Sequence, residues 1–301
     1  MLVEIYYWIK EYFFYCCSTN NNKRNKTKVK EIDVILNTET DIYYDTLDSL
    51  KYGTMISSTK SSSVHLYNNY IYKLTHFKNY NELYTYRNNI NQLDKNLNIL
   101  YPLEMIDKDT SLIEKYRYLP NCELFDFIIK YTLTQRDKYM IILSVMESIA
   151  NLHNSGVAHR DIKPENLFYL PNSKTLLIDL IMCSRYDDPQ LFQGGTVSYA
   201  SPQMFLDTYI ENDWRRIDIW SLGVVIYVVQ LLVFPWKNSI DCDIYLSYQS
   251  NENKQEYWDN IIDNKVISKL LFHTLAIQPE ERKNINQLID IFKNEIDLST
   301  L

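Results

Sequence analysis

The string HRDIKPEN at residues 159–166 places three chemically different polar groups close together. Asp161 can orient a hydroxyl and accept its proton, and Lys163 can place a cation near a transferred anionic group. Asn166 offers a neutral oxygen to a metal ion, and Asp179, which follows the apolar residues LLI, offers a charged one. These are the groups that transfer of a phosphoryl group requires.

Three further strings follow in the chain: IDL at 178–180, GTVSYASPQ at 195–203 and DIWSLG at 218–223. Together with HRDIKPEN they resemble the landmarks of the eukaryotic-type serine/threonine protein kinases, in that family's order and at its spacing. A lone HRD would carry little weight, whereas four ordered landmarks are specific. The resemblance covers about residues 42–295.

The resemblance implies an α+β fold of two lobes. A small β-rich N-lobe is expected over about residues 42–118, and a larger helical C-lobe over about 122–295. Residues 1–41 are expected to form an N-terminal extension. The chain has 301 residues, of which 46% are hydrophobic and 23% charged, a globular composition with enough length for a sizeable core.

Charge and cysteine content exclude several classes of protein. The net charge of −7 gives no reason to expect a nucleic-acid partner. The five cysteines have no regular spacing, which favours a reducing compartment over a disulfide framework or a zinc site. We therefore expect a cytoplasmic protein.

The N-terminal extension allows two interpretations. Its apolar start is interrupted by charges and is too short for a membrane-spanning helix. Cys16 and Cys17 follow it, and then a polar run with five Lys and Arg residues between 23 and 30. These features fit an acylated, lipid-binding membrane contact. The more ordinary interpretation is a docked helix followed by a solvated linker.

Hydrophobic patterning predicts the main elements. The dipeptide NN at 68–69 separates two strand-like runs, which is typical of a hairpin. Apolar spacing predicts a further strand and three long helices. They are the strand at 111–118 and helices at 78–93, 135–154 and 218–232.

The resemblance implies that ATP and Mg²⁺, or Mn²⁺, bind between the lobes. Lys73 matches the family's strand lysine that holds the α- and β-phosphates, and Asn166 and Asp179 match its metal ligands. The lysine's partner should be a glutamate on the next helix, for which Glu82 is the best candidate. The alternative is that Glu82 is exposed and Lys73 is unpaired.

The resemblance also bears on the substrate. Lys163, two residues after Asp161, is typical of kinases that phosphorylate serine and threonine in proteins. Thr196 matches the threonine that bridges this lysine and aspartate. Glu165 occupies a position at which some members bind a basic residue of the substrate peptide, although an ordinary exposed glutamate is an equal alternative.

Two family residues are expected to support the site. Asp218 in DIWSLG should accept hydrogen bonds from the backbone of the catalytic loop. Arg282 resembles the arginine that pairs with the glutamate of the family's APE string. Because that string reads SPQ here, Gln203 should form a weaker neutral pair with Arg282.

The sequence departs from the family at the nucleotide loop, YGTMISSTKSSSV at 52–64, where Gly53 is the single glycine. A serine backbone approaches phosphates less closely than glycine, so we expect weaker nucleotide binding.

Ile181 replaces the family's glycine after Asp179 and Leu180. Because a β-branched residue resists the φ values of glycine, we expect one fixed conformation. Whether Asp179 then points into or out of the site stays open.

Regulation through the activation segment, residues 179–203, also stays open. Arg160 is of the type that binds a phosphorylated loop residue in many members of the family. Ser184 and Ser198 are the candidate phosphorylation sites. The pair at 187–188, two aspartates, is either a fixed negative charge or a turn.

Two functions follow from these residues. Every charge-handling position is present, which favours an active kinase acting on serine and threonine of protein substrates. The lost glycines fit the alternative, a pseudokinase that binds a partner protein without turnover. A small-molecule kinase is disfavoured, because Lys163 and the string at 195–203 resemble peptide-binding features.

Overall fold

The computed structural model describes residues 49–95, 97–120, 122–171, 173–186, 195–205, 213–239 and 242–296. The predicted N-terminal extension, 1–41, and the start of the predicted kinase domain lie outside these residues. No helix among the described residues is long and apolar enough to cross a membrane. The predicted domain limits and the membrane contact therefore stay predictions.

The N-lobe is built on one antiparallel sheet in the order β1-β2-β3-β5-β4. Its strands are β1 (Thr54–Ser58), β2 (Ser62–Tyr67), β3 (Tyr70–His76), β4 (Glu104–Lys108) and β5 (Ser111–Arg117). Asn68 and Asn69 between β2 and β3 both have positive φ, 47° and 64°. This is the backbone that a two-residue hairpin needs and that asparagine tolerates, so the predicted hairpin is confirmed.

Helix α1 (Tyr80–Gln92) follows β3 and packs on the sheet side through Leu83, Tyr86 and Ile90. It starts two residues later than predicted, because the side chain of Asn79 accepts a hydrogen bond from Glu82 N at 3.0 Å and caps the helix there. This small shift fixes which residues of α1 face the site.

The C-lobe consists mainly of helices, two of which, Gln135–Asn154 and Arg215–Leu231, are largely buried and pack against each other. The helices are α2 (Leu124–Lys130), α3 (Gln135–Asn154), α4 (Arg215–Leu231), α5 (Asp243–Ser250), α6 (Lys254–Ile261), α7 (Lys265–Thr274) and α8 (Ile285–Glu295). The bounds of α3 agree with the prediction. Helix α3 packs against α4 and α8, and α4 against α7. The predicted α+β fold is confirmed.

Short strands of the C-lobe flank the polar strings identified in the sequence. They pair as β6 (Val157–Ala158) with β9 (Ser184–Arg185) and as β7 (Leu167–Tyr169) with β8 (Thr175–Leu177). HRDIKPEN therefore runs between β6 and β7, and Asp179 comes directly after β8. Two pairs of short strands thus bring together segments that are distant in sequence.

Helix α4 passes very close to the end of α7 at Gly223. A Cβ at this position would lie 2.5 Å from Oγ1 of Thr274 and 2.7 Å from Cδ2 of Leu275. The Thr274 hydroxyl is itself engaged, since it donates to Leu270 O at 2.8 Å. Only a residue without a side chain fits here.

We predict that Gly223→Val lowers the free energy of unfolding by about 1–3 kcal/mol through overpacking of this contact. Urea denaturation should show the loss as a lower midpoint. Ser247→Val, at an exposed site on α5, serves as the control and should change stability by only a few tenths of a kcal/mol. Equal midpoints for both variants would contradict the close approach.

Candidate active site

Asp161 lies at the centre of a compact hydrogen-bonded group. Its Oδ2 accepts from Lys163 Nζ at 2.8 Å and from Asn166 Nδ2 at 2.9 Å. Its Oδ1 accepts from Thr196 Oγ1 at 3.1 Å, and Thr196 accepts from Lys163 Nζ at 2.8 Å. The structure thus brings together four of the residues singled out in the sequence. A carboxylate oriented in this way can accept a proton from an incoming hydroxyl.

Asp218, which is fully buried, supports this group from beneath. Its carboxylate accepts from the backbone amides of His159 and Arg160 at 2.7 Å each, and lies 2.9 Å from Nε2 of His153. Arg160 has a φ of 70°, a conformation that needs such support in a residue with a side chain. The prediction that Asp218 holds the catalytic loop is confirmed.

His159 links the catalytic loop to the segment that carries Asp179. Its Nδ1 lies 3.3 Å from the amide of Asp161, and its Nε2 lies 3.0 Å from the carbonyl oxygen of Ile178. A ring that accepts at Nδ1 and donates at Nε2 satisfies both contacts. The positions of Asp161 and Asp179 are therefore coupled through one imidazole.

Asp179 points into the site, which answers the question that the sequence left open. Its Oδ1 lies 2.6 Å from Nζ of Lys73. Burial is the largest single effect and raises the pKa of this carboxyl, but the charge and hydrogen bond of Lys73, together with His159 and Lys163, hold the pKa below its usual value. The carboxylate is ionised at neutral pH and available to a cation.

The conformation of this segment explains how isoleucine replaces the expected glycine. Asp179 itself has left-handed φ and ψ of 58° and 67°, which aspartate tolerates better than most residues. Residues Leu180–Met182 then form a 3₁₀ turn. Ile181 therefore sits in a right-handed turn, and Asp179 takes the strained position.

Asn166 and Asp179 fit a hard metal ion. The Nδ2 of Asn166 donates to the backbone oxygen and to Oδ2 of Asp161, both at 2.9 Å, which leaves its amide oxygen for another partner. The side chain of Asp179 is 36% exposed. The described residues contain no group of three or more His, Cys, Asp or Glu side chains that could hold a metal ion. Asn166 and Asp179 would hold Mg²⁺, a cation that commonly uses one or two protein oxygens beside substrate phosphates.

The predicted pair between Lys73 and Glu82 is wrong. Glu82 lies in the first turn of α1, where its carboxylate accepts from the amide of Lys78 at 3.1 Å and lies 4.0 Å from Lys78 Nζ. The cap at Asn79 places Glu82 on the exposed side of the helix. The alternative was right about the exposure of Glu82, although Lys73 does have an ionic partner in Asp179.

A buried glutamate that the sequence analysis missed lies next to Lys73. Glu114 of β5 is directly opposite Lys73 of β3 in the sheet register, and it is 1% exposed. Tyr86 of α1 donates a hydrogen bond to it at 2.8 Å. The available signal was an acidic residue on the strand face that also carries Leu112 and Tyr116.

Gly53 does not belong to a phosphate-binding turn, which corrects its predicted role. It precedes β1, and its amide donates to Ser49 O at 3.0 Å. A Cβ on Gly53 would lie 2.2 Å from that same oxygen and 3.2 Å from Leu66 O. The glycine is required by close backbone packing at the start of the sheet.

The turn between β1 and β2 is closed by a threonine side chain instead. Oγ1 of Thr59 accepts from the amides of Ser61 and Ser62 at 3.3 and 3.1 Å. The amide of Thr59 donates to Ser62 O at 2.7 Å. Backbone N–H groups that could bind phosphate oxygens are therefore already bonded within the turn.

Arg160, which is of the type that binds a phosphorylated loop residue, contacts neighbouring unmodified side chains. Its guanidinium donates to Ser184 Oγ at 3.0 Å and lies 4.5 Å from the ring centre of Trp214. Ser184 is buried, so it is poorly placed for modification. Ser198 is half-buried in the 3₁₀ turn Val197–Tyr199. The aspartates at 187–188 lie outside the described residues.

Two glutamates form an acidic patch beside the catalytic loop. Burial, with contributions from Asp126 and Glu165, raises the pKa of Glu123 to about 7. Burial also raises the pKa of Glu165, and its Oε2 is buried without a hydrogen-bond partner among the described residues. Carboxylates that repel each other in this way gain from a bound cation.

The neutral pair between Gln203 and Arg282 is confirmed. Arg282 donates to Gln203 Oε1 at 2.8 Å, and Gln203 Nε2 donates to Ile277 O at 2.8 Å. Glutamate could not make the second bond, since it has no amide hydrogen. The weaker charge interaction is therefore offset by an additional hydrogen bond.

Comparison with known proteins places this geometry in a family. Residues 52–291 match the model described as protein kinase domain. Calcium/calmodulin-dependent protein kinase type 1 of Caenorhabditis briggsae is 28% identical over 192 residues, 62% of this chain and 52% of the relative. The probable serine/threonine-protein kinase fhkC of Dictyostelium discoideum is 29% identical over 203 residues, 65% of this chain and 34% of the relative.

A third relative, the maternal embryonic leucine zipper kinase of Xenopus tropicalis, is 27% identical over 191 residues, 62% of this chain and 28% of the relative. The matched regions thus span about half the length of these relatives or less. This chain is similar to part of each of these kinases.

We predict that Thr59→Gly tightens nucleotide binding. The change frees the amides of Ser61 and Ser62 and removes a Cβ from the turn, so that the backbone can approach phosphate oxygens. A several-fold lower Kd for ATP with magnesium is expected in a fluorescence titration. Ser58→Gly, which adds flexibility next to the turn without freeing those amides, is the matched control. A higher Kd for Thr59→Gly than for Ser58→Gly would contradict the prediction.

Proposed function

The chain belongs to the protein kinase family, and from that membership we propose that it transfers the γ-phosphoryl group of Mg-ATP to serine and threonine hydroxyls of protein substrates. The observation that carries the proposal is the bonded group of Asp161, Lys163, Thr196 and Asn166. It holds a proton acceptor and a cation at fixed positions. A protein without turnover would have no need for this arrangement.

In the proposed reaction the substrate hydroxyl lies against Asp161, which takes its proton as the oxygen attacks the γ-phosphorus. A new O–P bond forms while the bond to the β-phosphate oxygen breaks, and ADP leaves. Lys163 offsets the negative charge that develops on the transferred group. Thr196 keeps Lys163 and Asp161 in register through its hydroxyl.

Lys73 supplies the other cation of the site. Its Nζ lies 2.6 Å from Asp179, and in the proposal it binds the α- and β-phosphates. Mg²⁺ or Mn²⁺ bound to Asn166 and Asp179 would neutralise further charge on the triphosphate. The pseudokinase alternative gains no support, because the named relatives are kinases and the charged positions are assembled.

We predict that Asp161→Asn lowers phosphate transfer to a basic serine peptide by about 10²–10⁴-fold, the usual contribution of a positioned general base. The measurement is incorporation of labelled phosphate from ATP with magnesium, repeated with manganese. Asp109→Asn, the same chemical change in the exposed β4–β5 turn, should keep full activity. Equal labelling by the wild type and Asp161→Asn would refute the proposal.

Substrates with a basic residue near the acceptor are part of the proposal. The support is the patch of Glu123 and Glu165, where burial, followed by the charges of Asp126 and Glu165, raises the pKa of Glu123 to about 7. Below pH 7 this carboxyl is mostly neutral and binds a cation weakly. Above pH 7 it is ionised and can pair with an arginine or lysine of the peptide.

We predict that the KM for a basic peptide falls as the pH rises from 6 to 8. The ionised fraction of a carboxyl with a pKa of about 7 increases roughly tenfold over this range, which sets the size of the effect. A peptide with the basic residue replaced by norleucine should show a much flatter profile. Glu123→Gln should lose the pH dependence for the basic peptide, and a profile identical to the wild type would exclude this role for Glu123.

A further inference from the structure

The sheet places a carboxylate beside the nucleotide-binding lysine. Lys73 of β3 and Glu114 of β5 are directly opposed in the antiparallel register. Residues opposed in this way extend their side chains from the same face, with Cβ atoms about 4.5–5.5 Å apart. The ammonium and the carboxylate thus lie on the face of the sheet that carries α1, since Tyr86 of that helix reaches Glu114.

Glu114 is organised as a charged group rather than as core filler. Its Oε1 accepts hydrogen bonds from Tyr86 at 2.8 Å and Tyr116 at 2.9 Å. Its Oε2 is buried and has no hydrogen-bond partner among the described residues. Two phenols on one oxygen leave the other oxygen for a different partner.

The electrostatics of Glu114 agree with Lys73 as that partner, which the sheet register places opposite it. Burial raises the pKa of this carboxyl, and the largest opposing effect is the positive charge of Lys73. Burial and the nearby carboxylate raise the pKa of Tyr86 and of Tyr116 well above the usual value, so both phenols stay protonated and donate. A carboxylate this deeply buried is costly unless a cation compensates it.

Lys73 in turn needs a second anion. Its observed partner, Asp179, is also the residue that offers a charged oxygen to the metal ion. A carboxylate shared with a metal holds the lysine less firmly. Glu114 makes no such contribution to the metal site, since it lies within the sheet.

We propose that Glu114 is the positioning residue that holds Lys73 towards the triphosphate, in the place that the family resemblance gives to a helical glutamate. The inference rests on the proposed function, because it assigns the anchor of the same nucleotide site. Tyr86, one turn after Glu82, occupies the facing position on α1 and supplies a hydroxyl instead of a charge.

A glutamate partner on strand β5 instead of on helix α1 has a mechanical consequence. Lys73 and Glu114 belong to neighbouring strands of one sheet, so their separation is set by the ladder of backbone hydrogen bonds. A displacement of α1 would remove the hydrogen bond of Tyr86 and leave both charged residues on the sheet. The lysine anchor is therefore independent of the helix position.

The first test needs no nucleotide. Lys73→Met removes the cation and leaves Glu114 buried without compensation, so we expect Tm to fall by about 6 °C or more. In the Glu114→Gln background the same change should lower Tm by less than half as much. In the Glu82→Gln background the full decrease should persist. Equal decreases in all three backgrounds would overturn the inference, because no energetic coupling would then link Lys73 to Glu114.

The second test measures ATP binding with magnesium by fluorescence titration. Glu114→Gln should raise Kd about tenfold, whereas Glu82→Gln should stay within twofold of the wild type. An unchanged Kd for Glu114→Gln, or a loss of affinity only in Glu82→Gln, would overturn the positioning role. A wild type that binds no ATP would refute the proposed function instead, and the thermal measurements would then decide whether the pair exists.

Discussion

The contact between Lys73 and Asp179 is the interaction on which the site depends, because it joins the N-lobe sheet to the segment after β8. Asp179 adopts a left-handed backbone that costs a residue with a side chain about 1–3 kcal/mol. A charge-assisted bond of 2.6 Å offsets this cost. The backbone strain thus lies at Asp179, which is paired with Lys73, and Ile181 lies in the ordinary 3₁₀ turn that follows.

The catalytic loop could be predicted from the sequence because its contacts are local. Asp161, Lys163 and Asn166 lie within one short segment, and backbone geometry alone brings their polar atoms close. The role of Asp218 followed from the family's string and proved correct. The partner of Lys73 could not be found in this way. It depends on where α1 begins, which the local cap at Asn79 decides, and on which residue of β5 faces Lys73, which local spacing does not encode.

The error at Glu82 has a definite physical cause. Asn79 caps α1 and draws Glu82 into the first turn, where its carboxylate closes back on Lys78. A helix that began two residues earlier, as predicted, would have turned a different face to the sheet. Strand register is equally invisible to a single sequence, because any of several alternating residues of β5 could have been opposite Lys73. Glu114 lies on the same strand face as Leu112 and Tyr116, and the register opposite Lys73 explains an acidic residue there.

The shortage of glycine has been met by polar side chains that bond to the backbone. Thr59 closes the β1–β2 turn with its hydroxyl. Arg160 orders the start of the activation segment through side-chain contacts. It lies on the ring of Trp214 and donates to Ser184, while the amide of Trp214 donates to Tyr186 O at 2.9 Å. Packing and hydrogen bonds thus order the start of this segment in the unmodified chain. A phosphate at Ser184 would have to break the bond that now holds it, so the ordered state at this point does not require phosphorylation.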